Sequence, residues 1–407
     1  MFRDTSPMTP ALQAGRPDVA VAALAGLSAP QQLVPARAFP SIPSAVAPRT
    51  EKLAPVVSAG VVPQWGDVNE RRFALHDIAD DRGQVQVRDL LYRADSRRLP
   101  TGAEQDLDRV SLALSNALLD GQAAGCLPQG RLLLAMNETS LCSPLAEAVT
   151  ADIGAITLHR DLPISTRVLM RVAQLRASGV RFGMAGVRSE TDPHWLLAPY
   201  SDTFRLDLSA TPPDRLPALV ERADTEGLEV IGVGVQSMLG YQRLSGLAVT
   251  LLQGPFIAAP QEMAVAALPG CDAAVLQRAQ GLLHDRVSFE AVAVAAAADP
   301  ALVMRLHLLH RLYGAGRGAE PASLAGLLKG LPPGVLSAWM EILRRSACHD
   351  HHRGWAHSVR QQTDEYRQAL HRRSNGQDHA AIQASLWIFL KRLTQPSHYL
   401  KTLRYAT

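Results

Sequence analysis

Along residues 71–260, short apolar runs alternate with turns and with amphipathic stretches of helical period. That rhythm predicts an α/β architecture, either a barrel or a doubly wound sheet. Strands are expected at 72–78, 86–94, 131–137, 155–159, 180–187, 203–208, 228–235 and 248–252. The segment "ADDRGQ" between the first two contains Gly83, so the array should open with an antiparallel hairpin before the helices begin. The run "STRVLMRVAQLRASG" shows the helical pattern. Ser165 or Thr166 can cap it, Val168, Leu169, Val172 and Leu175 make one apolar stripe, and Gly179 ends it. Arg167, Arg171 and Arg176 are then expected to face water.

After Pro260 the strand pattern stops and helices are expected to the end of the chain. "SFEAVAVAAAADPALVMRLHLLHRLYG" reads as two helices, with Asp299 capping the second and Pro300 in its first turn, where a missing N–H costs nothing. Further helices are expected at 333–348, 358–373 and 378–394. Residues 1–68 are rich in proline, which disfavours regular helix or strand, and read as a tail. The expected organisation is thus a tail over 1–68, an α/β domain over 69–262 and an all-α domain over 263–407.

Composition changes this picture little. A hydrophobic content of 47% can fill two cores, and a net charge of +3 over 407 residues implies neither a nucleic-acid nor a membrane partner. Cys126, Cys142, Cys271 and Cys348 form no CxxC pair, which suits reduced thiols and makes the cytoplasm the expected compartment. The apolar run 19–27 is too short to span a bilayer, and Asp4 and Asp18 before it do not suit a signal peptide.

Several stretches invite a chemical reading. "GVGVQS", Gly232 to Ser237, follows a strand and opens a helix, as a dinucleotide-binding turn would. The next strand ends in Leu251-Leu252-Gln253, without the acidic residue that such a site uses. "GAGRG", at 314–318, lies between helices and reads as a flexible turn. Cys348-His349-Asp350-His351-His352, with His357 beyond, has metal-ligand types. No matching ligand helix accompanies it, so it reads as a solvated helix end, and no metal or cofactor is expected. His307 and His310 sit on a leucine-rich helix and read as the edge of a core. Neither a GxSxG elbow nor a phosphate-binding GxxxxGK[ST] loop is present.

Taken in order, "VRDLLYRAD", "RLLLAMNETSL", "ITLHRDLP", "GVRFGMAGV", "TFRLDLS", "LEVIGVGVQS" and "VTLLQGPFIAAP" resemble the successive strands of an EAL domain, the barrel of cyclic di-GMP phosphodiesterases. The helical segment around "DPALVMRLHLLHRL" resembles an HDOD domain, a module related to HD-GYP hydrolases but lacking their metal ligands. This order of modules is known among signal-transduction proteins. The resemblance implies a TIM-type (β/α) barrel that opens with an antiparallel strand, followed by an HDOD-like bundle.

The resemblance also implies a site. An active EAL domain holds two Mg²⁺ or Mn²⁺ ions on carboxylates and one asparagine. Here the naming glutamate corresponds to Asp89 and the asparagine to Asn137. A second glutamate corresponds to His159, the paired aspartates fall near Ala185 and Gly186, and the lysine falls at Arg205. The last two glutamates fall at Val233 and Gln236. With most carboxylates replaced, no catalytic residue is assigned and the chain is expected not to be an enzyme. It is expected instead to act through protein partners, with a homodimer as one form. The alternative is a cyclic di-GMP receptor that does not hydrolyse its ligand and uses Arg93, Arg205 and Gln253.

Overall fold

The computed structural model of the chain describes residues 70–91, 103–126, 131–314, 320–348, 353–374 and 379–405. The expected tail therefore lies outside the described residues. So do Arg93 and the histidines at 349, 351 and 352.

Nine strands form one sheet: β1 Glu70–Asp80, β2 Val85–Leu91, β3 Arg131–Met136, β4 Gly154–Leu158, β5 Arg181–Ala185, β6 Thr203–Asp207, β7 Glu229–Val233, β8 Leu251–Gln253 and β9 Gln261–Ala266. The first eight close on themselves. β2 to β8 run parallel in sequence order, and β1 completes the circle antiparallel to both β2 and β8. The hairpin between β1 and β2 turns at Gly83, whose φ of 76° favours glycine. The architecture is thus the expected β/α barrel with an antiparallel opening strand, followed by helices.

Strand periodicity decides what faces where. On β3, Leu132, Leu134 and Met136 pack outward on the helices, as do Ile156 and Leu158 on β4 and Phe182 on β5. Phe204 and Leu206 on β6 and Val230 on β7 do the same in a second outer core. Ile78, Leu133, Ala155, Ile231 and Leu251 point inward and fill the lumen, so the barrel is a packed body and not a pore.

The expectation that strands stop after Pro260 is corrected by β9. It pairs antiparallel with the first half of β1, from Glu70↔Ala266 to Leu75↔Gln261, while the far end of β1 pairs with β8. β1 is long enough to leave the barrel wall and recruit a further strand. The motif Gly232 to Ser237 also finds its structural reason. A Cβ at Gly232 would come within 2.5 Å of Leu244 Cδ1, so this glycine lets helix Met238–Leu244 pack close on the sheet.

Helices then run to Tyr405. Ser288 caps Phe289–Ala296 and Asp299 caps Pro300–Tyr313, with Pro300 in the first turn as expected. Pro333–Ser346, Arg353–Ser374 and His379–Leu393 stand where helices were expected, and Pro396–Tyr405 follows. The barrel and these helices share a continuous core within the unit Gln64–Thr407.

Polar links cross the same boundary. The buried Tyr313 hydroxyl donates to Ala148 O at 2.6 Å and accepts from Trp339 Nε1 at 2.7 Å. Arg345 bridges Glu104 and Asp108 on helix Ala103–Leu114 to Glu341 on its own helix. Hydrogen bonds from Arg344, Gln280 and Arg345 hold the Glu341 carboxyl down at about 2. Buried Asp120 accepts from Leu268 N at 2.7 Å, and burial raises its pKa.

Two of the three arginines expected to face water do otherwise. Arg171 donates to Leu141 O, Ser143 O and Glu147, and Arg176 makes a two-pronged bridge to Asp202. Both use the long arginine stem to reach neighbouring loops. Among the described residues no helix is long and apolar enough to cross a membrane.

Candidate functional site

Parallel strands present the same face at alternate positions, so the residues nearest their carboxyl ends converge on one mouth. Asp89 on β2, Ala135 on β3, Thr157 on β4, Ala185 on β5, Arg205 and Asp207 on β6, and Val233 on β7 all line one cavity there. His159, Arg160, Gly186 and Arg188 add to its wall from the loops after β4 and β5. The cavity holds about 220 Å³. That is below the roughly 300–1,000 Å³ of pockets that enclose a whole drug-sized ligand, so it suits one phosphate or sugar of a larger molecule.

The floor of the mouth is a closed polar triangle. Arg205 Nη2 donates to Asp89 Oδ2 at 2.8 Å and to Gln253 Oε1 at 2.5 Å, and Gln253 Nε2 donates to Asp89 Oδ2 at 3.2 Å. The two charged side chains are only 11% and 10% exposed. Opposite charges at this distance and burial neutralise one another, so the floor presents little net field.

Above the floor the balance shifts toward positive charge. Arg188 makes no side-chain ion pair among the described residues, and Arg160 meets only the exposed Asp161, at 3.7 Å. Gly186, with φ of 80°, lets the backbone pass within reach of Arg160, since a Cβ there would lie 2.0 Å from Arg160 Cβ. Thr157 Oγ1 is buried in this wall without a hydrogen-bond partner among the described residues. Asp207 accepts from Ser209 N and Oγ, which turn its carboxylate toward its own loop without removing its charge, so the lining keeps a single positive charge in excess.

Of the residues singled out in the sequence, Asp89, His159, Ala185, Gly186, Arg205 and Val233 come together at the mouth, and Gln253 joins them through the triangle. Asn137 does not line the cavity. Its Oδ1 caps helix Glu138–Cys142 at Ser140 N, and its Nδ2 donates to Asp106 Oδ2 at 2.6 Å. Gln236 is exposed just before the helix capped by Ser237. Arg93 lies outside the described residues.

Sequence reasoning missed Arg160, Arg188, Thr157 and Asp207. Strand parity alone would have supplied Thr157, two before His159, and Asp207, two after Arg205. The arginines come from loops, where no periodicity marks them.

A two-ion site of Mg²⁺ or Mn²⁺ does not fit these residues. Asp89 is already neutralised by Arg205, Asn137 is used as a cap, and Ala185, Gly186 and Val233 carry no side-chain donor atom. Among the described residues no three His, Cys, Asp or Glu side chains gather as a metal site.

No family model matches the sequence, and no curated protein matches it. Solved structures do resemble the fold. The YkuI protein of Bacillus subtilis, with an EAL domain and in complex with substrate cyclic di-GMP and calcium, is 14% identical, with a TM-score of 0.40, over 48% of this chain and 56% of its own. BlrP1 of Klebsiella pneumoniae, a calcium and cyclic di-GMP complex, is 18% identical, with a TM-score of 0.38, over 49% of this chain and 62% of its own. The MucR phosphodiesterase in complex with cyclic di-GMP is 14% identical, with a TM-score of 0.36, over 46% and 91%. The likeness is one of fold, and the chain spans little more than half the length of the Bacillus protein. One expectation is corrected by these neighbours, that the chain is not an enzyme. They include a phosphodiesterase and a protein held with its substrate, and that expectation is withdrawn.

Proposed function

We propose that the chain is a signal-transduction protein whose EAL-like barrel recognises a phosphate of a cyclic dinucleotide, cyclic di-GMP first among them, and whose HDOD-like helical half, residues 263–407, passes the bound state on to a protein partner. The observation that carries this reading is the rim. Arg160 and Arg188, with the unpartnered Thr157 hydroxyl, surround a cavity of phosphate size over a floor already neutral. Guanidinium groups bind phosphate oxygens through short charge-assisted hydrogen bonds, and the hydroxyl supplies a further donor.

Calorimetric titration of the full chain with cyclic di-GMP tests it. Binding is expected, weakened about tenfold or more in Arg160→Ala/Arg188→Ala, since hydrogen bonds to a charged group contribute about 1.5–3 kcal/mol each. No heat at about 1 mM ligand, with the protein shown to be folded, removes the reading. Chromatography of the same mixture with Mn²⁺ reads out any linear product.

A second reading, a scaffold that works through protein contacts without a nucleotide, is favoured by a separate observation. Met238 and Leu239 are exposed on one short helix, and Phe256 is exposed beside Tyr241 of that helix, 6.1 Å between ring centroids. Apolar side chains grouped at the surface mark interaction sites, of which self-association is one. Under this reading Met238→Asp/Leu239→Asp abolishes partner binding or dimerisation while the calorimetric result stays negative.

A further inference from the structure

A second cavity, of about 410 Å³, lies on the helical side of the molecule, away from the barrel mouth. Helix Pro300–Tyr313 contributes His307, His310 and Arg311, helix His379–Leu393 contributes Trp387 and Lys391, and the turn Gly121–Ala123 at the barrel contributes Gln122. Its volume falls in the roughly 300–1,000 Å³ range of small-molecule sites, and it joins the two halves of the chain.

Two of its residues carry buried polar atoms with no hydrogen-bond partner among the described residues, His307 Nε2 and Gln122 Oε1. Unmet polar atoms of this kind are rare in folded proteins, and two around one cavity point to a missing partner. Gln122 Oε1 is an acceptor, so it calls for a molecule with an N–H or O–H donor. His307 is held neutral, pushed down to about 4 by burial and by Lys391 and His310 nearby, and can donate or accept.

Charge and shape narrow the class. Lys391 and Arg311 bring two cations to the wall against one acid, Glu320, which pairs with Lys391. The excess is positive and suits one anionic group. Trp387 is 7% exposed, its ring is stacked on His307 at 5.0 Å, and its Nε1 donates to Pro321 O at 3.0 Å. It therefore builds the wall and offers no open face on which a nucleobase could stack.

We propose that this cavity binds a small, non-aromatic carboxylate that carries its own hydrogen-bond donor, an amino or hydroxy acid, with the carboxylate at Arg311 and Lys391 and the donor at Gln122 Oε1. Such a ligand touches the barrel through Gln122 and the helical half through the other groups, so its binding ties one to the other.

The test titrates the full chain with L-serine, L-glutamate, L-lactate and L-malate, against acetate, which lacks the donor, and ethanolamine, which lacks the carboxylate. At least one of the four acids is expected to raise the melting temperature and give calorimetric heat, and the amino and hydroxy acids distinguish the two sources of the chemistry. Gln122→Met and Lys391→Met are each expected to weaken that binding about tenfold, the loss of one hydrogen bond or ion pair to a charged ligand, while Arg160→Ala leaves it unchanged. Should Gln122→Met fail to fold, Gln122→Ala, which also removes the acceptor and suits a helical position, is expected to weaken binding likewise. The proposal is overturned by no response from all four acids at about 10 mM with folded protein, by acetate binding as well as they do, or by binding that Lys391→Met leaves intact.

Discussion

Removing Arg205 from the floor of the barrel mouth should cost stability on the scale of a broken buried ion pair. In Arg205→Met, Asp89 Oδ2 loses its 2.8 Å partner and keeps only the 3.2 Å bond from Gln253, while Gln253 Oε1 loses its donor. Breaking a buried ion pair from one side costs about 3–5 kcal/mol, and the open cavity above lets water reach Asp89, so about 3 kcal/mol is expected. Asp89→Asn keeps an acceptor for Arg205 and should cost about 1–2 kcal/mol. In the double variant Asp89→Leu/Arg205→Met no charge remains to be desolvated, and stability should return to within about 1 kcal/mol of the parent. With Asp89→Leu as the matching single variant, which strands Arg205 and should likewise cost about 3 kcal/mol, the cycle gives a coupling of about 5 kcal/mol. Urea unfolding at equilibrium, with unchanged slope for all four proteins, measures it. A cost below about 1 kcal/mol for Arg205→Met, or a double variant no better than that single one, would refute the view that the pair is a neutral structural floor.

Tyr313→Phe strands both Ala148 O and Trp339 Nε1 in the shared core and should destabilise by about 2–3 kcal/mol, read as a lower urea midpoint. His307 has a folded pKa of about 4, below its usual 6.5, so the unfolded chain takes up the proton first as the solution is acidified. Its contribution, about 3 kcal/mol at full extent, is present above pH 6.5 and lost as pH falls toward 4, and His307→Leu should flatten the melting-temperature profile across that window.

The barrel was legible because its strands are short apolar runs that must alternate inward and outward. β3, β4 and β6 lie within one residue of their expected limits. β9 was not legible. Gln261-Glu262-Met263-Ala264-Val265-Ala266 has only Val265 fully buried, and it is a strand because β1 offers it an edge. At the mouth, the positions facing the cavity followed from parity, but their state did not. Nothing in the spacing of Asp89, Arg205 and Gln253, spread over three strands, announces that they bond to one another. Asn137 was assigned to the mouth by its position in the strand order. A helix begins at the next residue, and the local demand for a cap took its side chain. Arg171 misled for a related reason, since helical phase predicts which way a residue leaves the axis and not how far a long side chain bends back.

The long first strand sets a condition on synthesis. Among the described residues, one edge of β1 is covered by residues 251–266 alone, about 170 residues downstream, so an emerging chain carries the β1–β2 hairpin with that edge bare until the last strands leave the ribosome. At about 5–20 residues per second the exposure lasts on the order of ten seconds or more, long enough for two nascent chains on one message to pair edge to edge. Chains cut short before residue 251 retain every helix-covered strand up to β7 and still cannot close, and they should collect as aggregates that holdase chaperones bind. The full-length protein escapes this fate once β8 and β9 arrive together, a few residues apart, on the same edge.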